Sequence, residues 1–111
     1  MKLLLKGGTV VSAAGSKIAD LLIEDEKIVR VGQNLTDAEA TVVPMEGKLL
    51  FPGFIDAHTH FDLDVCNTTT ADNFDTGTRS ALRGGTTMVV DFACPNKGET
   101  LQYGLDLWHK K

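Results

Sequence analysis

The patterning of this sequence changes near residue 50, and that change limits the folds open to it. Up to that point short β-rich runs alternate with turn residues: Leu3 to Leu5, Thr9 to Val11, Leu21 to Glu24, Ile28 to Val31 and Thr41 to Val43. Gly7-Gly8, Ala14-Gly15-Ser16, Glu24-Asp25-Glu26-Lys27 and Gly32-Gln33-Asn34 separate them, and this spacing predicts a small antiparallel sheet. The charged tetrapeptide Glu24 to Lys27 stays in water while the β-branched residues on either side pair, which predicts a hairpin.

Gly47, Pro52 and Gly53 then punctuate an apolar stretch that leads into Phe54-Ile55-Asp56-Ala57-His58-Thr59-His60. From there the order is strand, loop, helix, strand, helix. Phe74, Thr78, Ala81 and Leu82 recur at helical spacing, with Asp72 placed to cap the start and Gly84-Gly85 the end. The glycine pair lacks any GxGxxG or Walker context, so it reads as a helix-to-strand turn and not as a phosphate loop. Thr86 to Phe92 reads as a buried parallel strand. Leu101, Leu105 and Trp108 put an apolar face on a final helix running to Lys111. The sequence thus divides into 1–50 and 51–111, without internal repeats.

Composition narrows the function classes. With 42% hydrophobic and 23% charged residues the chain is a globular domain or part of one. Fifteen acidic against eleven basic residues leave a net charge of −4 with no basic run, so neither nucleic acid nor an anionic membrane is an expected partner. Three apolar residues between Lys2 and Lys6 are too few for a signal peptide or a span, and a cytoplasmic location is the expectation. Cys66 and Cys94, far apart and outside any CxxC spacing, are expected to be reduced packing residues.

His58 and His60 are the sharpest chemical feature. Residues two apart on a strand face the same way, so both imidazoles and the Asp56 carboxylate are expected on one side. Neutral imidazole is the commonest protein ligand for zinc, and a strand fixes two rings at little ordering cost. A His-x-His pair taken alone is more often a coincidence of surface or loop than a ligand pair. Its surroundings change the balance.

Those surroundings are Pro52-Gly53-Phe54-Ile55-Asp56-Ala57-His58-Thr59-His60, then Asp72-Asn73-Phe74-Asp75-Thr76-Gly77-Thr78, then Gly84-Gly85-Thr86-Thr87-Met88-Val89-Val90-Asp91-Phe92, and at the end Asn96-Lys97-Gly98-Glu99-Thr100-Leu101 with Trp108-His109. Together, over the whole chain, they resemble the amidohydrolase superfamily and within it the dihydropyrimidinase/hydantoinase family. The resemblance implies an α/β fold: an amino-terminal β-sandwich portion in residues 1–50, then the first strands and helices of a (β/α)8 TIM barrel in 51–111. It implies a two-metal site, usually zinc, with His58 and His60 as the first two ligands of one ion. It also implies opening of a dihydropyrimidine or hydantoin ring to an N-carbamoyl amino acid, and a homo-oligomer at full length. By the same pattern Asp56 is not a ligand; it braces the strand or stands solvated at its end. Leu63 and Val65 fall where the family shapes its substrate pocket, although ordinary loop packing is the better explanation of both. Asp64-Val65-Cys66-Asn67-Thr68 departs from the Pro- and Gly-containing loop of the family. His109 has no partner motif and is expected at a helix end.

A TIM barrel needs about 250 residues, and 54–111 supply about two of its eight units. The family's bridging carboxylated lysine, two further histidines and aspartate base have no matching positions here, so no residue of this chain is expected to be catalytic by itself. The expectation is an amino-terminal piece of a cyclic-amide hydrolase that is inactive alone. The alternative is a non-catalytic truncated piece, or a small metal-binding or interaction protein whose uncovered faces, such as Leu101, Leu105 and Trp108, seek a partner.

Overall fold

The alternation in the first half folds into one five-stranded sheet. The computed structural model describes all 111 residues, in two units, Met1–Pro52 and Gly53–Lys111. In the first unit β1 (Lys2–Ser12), β2 (Gly15–Glu24), β3 (Lys27–Gly32) and β4 (Thr41–Pro44) lie in the order β3-β2-β1-β4, and β5 (Leu49–Leu50) pairs with β1 beyond β4. The hairpin expected at Glu24 to Lys27 is present, tightened to a two-residue turn with Asp25 at φ +54°.

Two expectations need correcting. The sheet is mixed, because β2 occupies one edge of β1 and the chain returns to pair β4 and β5 in parallel along the other. Gly7-Gly8 is no break between strands but a bulge within β1. Gly7, at φ +75°, turns its N–H onto Asp20 Oδ1 at 2.8 Å, while a Cβ on Gly8 would stand 2.8 Å from Leu50 Cδ1. Register places Leu4 opposite Leu22, and with Leu35 they form the core, Ala40 packing against them. Asp20 is buried in this unit; its other oxygen accepts the Leu35 N–H at 2.9 Å.

The second unit contains β6 (Phe54–Thr59), a two-stranded hairpin of β7 (Asp64–Val65) and β8 (Thr68–Thr69), α1 (Phe74–Arg83), β9 (Thr86–Asp91) and α2 (Leu101–Trp108). β6 and β9 pair in parallel, and α1, the crossover between them, packs on β9. Asn73, not Asp72, caps α1: its side chain accepts the Thr76 N–H at 2.8 Å while Thr76 Oγ1 accepts the Asn73 N–H at 3.1 Å. Asp72 accepts from the Thr76 hydroxyl at 3.0 Å. Of the two glycines after α1 only Gly85 has positive φ, +92°, and Gly84 stays right-handed. α2 stops at Trp108, short of Lys111, with His109 as its exposed cap.

β9 is not the buried strand its composition predicts. Met88 is 55% and Val90 42% exposed, because β6 and β9 pair only with one another, α1 packs along β9, and α2 meets it only through the Trp108 bond to its last residue, Asp91. No helix is long and apolar enough to cross a membrane.

Candidate functional site

Parallel pairing brings the C-terminal ends of β6 and β9 to the same edge, and the chemically distinctive side chains of the second unit gather there. His58 lies on β6 and His60 just past its end. Their Nε2 atoms are 3.1 Å apart and the rings meet edge to face, centroids 5.0 Å apart. At that separation one ring can donate to the other, with roles set by tautomer. The same spacing suits one ion between them, since two nitrogens at about 2.0–2.1 Å from a tetrahedral zinc lie about 3.3 Å from each other.

On the other side of the ring, His60 Nδ1 is buried and has no hydrogen-bond partner. A histidine that binds metal through one ring nitrogen commonly donates from the other to a carboxylate or carbonyl, which fixes its tautomer. The donor set therefore fits a metal at Nε2 and leaves one bond on His60 open. No group of three or more His, Cys, Asp or Glu side chains gathers to hold an ion, so the pair offers two candidate donors where catalytic zinc takes three protein ligands and a water.

Phe92 and Asp91 complete the cluster. The Phe92 ring lies 4.6 Å from the His58 ring and 5.4 Å from that of His60. Asp91 accepts from Thr59 Oγ1, the Phe61 N–H and Trp108 Nε1. In the sequence both residues read only as part of the strand Thr86 to Phe92. The signal was present, because the end of a parallel strand after one crossover must lie level with the end of its partner, but it needed the β6–β9 register.

The other candidates scatter. Asp56 is exposed and its carboxylate accepts the His58 main-chain N–H at 3.2 Å, touching neither ring. Leu63 is half-buried and Val65 exposed. Cys66 and Cys94 are free thiols, but Cys66 is exposed and does not pack: it forms the β7–β8 turn with Asn67, both at positive φ. That hairpin borders an open depression of about 550 Å³ reaching to Asn96. Beside it the Asp64 carboxyl is held below its usual range by the Thr69 hydroxyl and then by the Lys111 ammonium at 3.5 Å. Leu101 is 82% exposed and Leu105 exposed, whereas Trp108 is half-buried through its bond to Asp91.

A model of the amidohydrolase family matches residues 49–101. Over 111 residues the chain is 46% identical to a D-hydantoinase of Geobacillus stearothermophilus, covering all of this chain and 24% of that protein. It is 39% identical to a dihydropyrimidinase of Rattus norvegicus over 112 residues, covering 96% of this chain and 22% of the relative. Among solved structures, a dihydropyrimidinase from Brevibacillus agri superposes with a TM-score of 0.92 at 45% identity, over 99% of this chain and 24% of that one. The chain spans about a quarter of the length of the curated relatives it matches.

Proposed function

Because the chain belongs to the amidohydrolase family, and within it resembles the hydantoinases and dihydropyrimidinases, we propose that it carries the first two metal ligands of a hydrolase that opens cyclic amides. The observation that carries this reading is the convergence of His58 Nε2 and His60 Nε2 at 3.1 Å, at the C-terminal edge of two parallel strands. In barrels built from such strands the chemistry sits at that edge. On this reading residues 1–50 are the β-sandwich portion and 51–111 the first two strand–helix units of the barrel.

His58 and His60 would hold the ion as neutral imidazoles through Nε2, and zinc suits that donor type. When bound, such an ion polarises an amide carbonyl and lowers the pKa of water toward neutrality. The Phe92 ring packs beside both imidazoles. The Asp56 carboxylate holds the main chain of His58 in place. A third ligand and a proton-transfer group have no counterpart beside the pair, so the 111-residue chain by itself binds metal weakly and turns over no substrate.

Calorimetric titration with zinc tests the ligand assignment. Wild-type protein and His109→Ala should bind alike, and His58→Ala and His60→Ala should each lose the site; binding that survives both substitutions overturns the assignment. A ring-opening assay on a dihydropyrimidine and a hydantoin tests the rest. No turnover by this chain is expected, and turnover abolished by His58→Ala would show that two ligands suffice.

A further inference from the structure

The geometry points to Asp91 as a positioning residue for the histidine pair, acting through the Thr59 hydroxyl before His60 and the Phe61 main chain after it. This inference rests on the metal reading above. Asp91 closes β9 and is the register partner of Thr59. Its Oδ1 accepts from Thr59 Oγ1 at 3.1 Å and from the Phe61 N–H at 3.1 Å, the residues immediately before and after His60. Its Oδ2 accepts from Trp108 Nε1 on α2 at 2.7 Å. One carboxylate thus ties the end of β6, the start of the following loop and α2 together.

The need for such a tie is local. The β6–β9 register shifts between Asp56 and Thr59, the stretch that holds His58, so regular ladder pairing is interrupted where the first ring must be fixed. A bite of 3.1 Å between two Nε2 atoms depends on the separation and tilt of both Cα atoms, and loose main chain at residues 59–61 would open it. Asp91 supplies the missing restraint by accepting from the residues on either side of His60 with one oxygen while the other is held by Trp108 Nε1. Its neighbour Phe92 then meets the rings themselves. Asp91 bonds to neither imidazole, so it acts on the pair only through what it holds.

The test is zinc titration of the full chain followed by the ring resonances of His58 and His60, at a temperature where circular dichroism shows each variant folded. Asp91→Asn should raise the zinc Kd about 10–100-fold, the usual loss when a residue supporting a metal ligand is replaced. Without zinc it should also shift the indole N–H resonance of Trp108, the single tryptophan of the chain. Thr59→Val should weaken zinc binding and Thr59→Ser, which keeps the hydroxyl, should restore it; this pair decides the matter if Asp91→Asn does not fold. A carboxylate that served only the fold would lower the melting temperature of Asp91→Asn and leave the zinc Kd of the folded protein unchanged, and that result, or equal Kd values for the two Thr59 variants, overturns the inference. Wild-type protein whose ring resonances ignore zinc would remove the ligand assignment and this inference together.

Discussion

Asp20 is a carboxylate that the period-two pattern of its strand would leave unremarked, and it joins two turns of the first unit. Its oxygens accept from Gly7 N–H in the bulge of β1 and from Leu35 N–H after β3. The Gly7 N–H does most to hold its carboxyl below the usual range; the Leu35 N–H, the Lys6 ammonium and the Asn34 N–H add to this against the cost of burial. A carboxyl with a depressed folded-state pKa contributes stability that is complete above its unfolded value of about 3.9 and is lost as pH falls through the folded value. Acid unfolding of this unit, followed by circular dichroism, should therefore begin below about pH 4. Asp20→Asn should be less stable than wild type at pH 6 and should lose the part of the pH dependence that lies in the acid range; an unchanged acid profile would show that another carboxyl sets it. Asp20 escaped the sequence reading because its partners are main-chain groups 13 and 15 residues away. His58 and His60 did not escape it, since a two-residue spacing on a strand is a local rule, whereas Asp91 and Phe92 join them only through the register of β9.

At the scale of elements, α1 shows the same division between local rules and packing. Phe74, Thr78, Ala81 and Leu82 announce the helix, but the cap expected at Asp72 falls one residue later, on Asn73, whose side chain reaches the Thr76 N–H. Asn73→Ala should cost about 1 kcal/mol in urea unfolding. Gly77 is the more telling position. In an exposed helix interior Gly→Ala usually stabilises by about 1 kcal/mol. Here Gly77 is buried and a Cβ would lie 2.2 Å from Cε1 of Phe61, itself buried, with the Phe74 ring 5.5 Å beyond it. The ring must move, so Gly77→Ala should destabilise by about 1–3 kcal/mol, the usual cost of overpacking. A stabilised Gly77→Ala variant would mean that Phe61 yields freely. The bulge at Gly7-Gly8 belongs to this scale too. Two adjacent glycines read locally as a break, and only the Asp20 carboxylate and the Leu50 side chain show why β1 runs through them.

For the molecule as a whole, the sequence allowed the order of the main elements of the second half, but not the β7–β8 hairpin in its loop or the covering of its faces. Its strand–helix–strand–helix order forms as expected, yet Ile55 and Met88 on the paired strands and Leu82 on α1 remain 63%, 55% and 60% exposed. Ile28 and Val31 on β3, an edge strand of the first sheet, are 59% and 51% exposed. Apolar side chains of this kind on paired strands read from sequence as interior, because periodicity registers which residues are apolar and not whether a neighbour covers them. Leu4 and Leu22, by contrast, register opposite one another and bury fully, so Leu4→Ala should cost about 2–5 kcal/mol. Uncovered apolar faces together with an edge strand favour association over a lone monomer. Sedimentation velocity should therefore show a weight-average mass that rises above 12.0 kDa with concentration. Ile55→Lys with Met88→Lys should lower that rise, because the charges would have to be buried in any contact made through this face. Ile28→Lys with Val31→Lys separates the two surfaces: a larger fall from that pair assigns the association to the β3 edge. A mass that stays at 12.0 kDa across the range would mean that the exposed faces of β6 and β9 tolerate water without a partner, and the small core around Leu4 would then carry the first unit on its own.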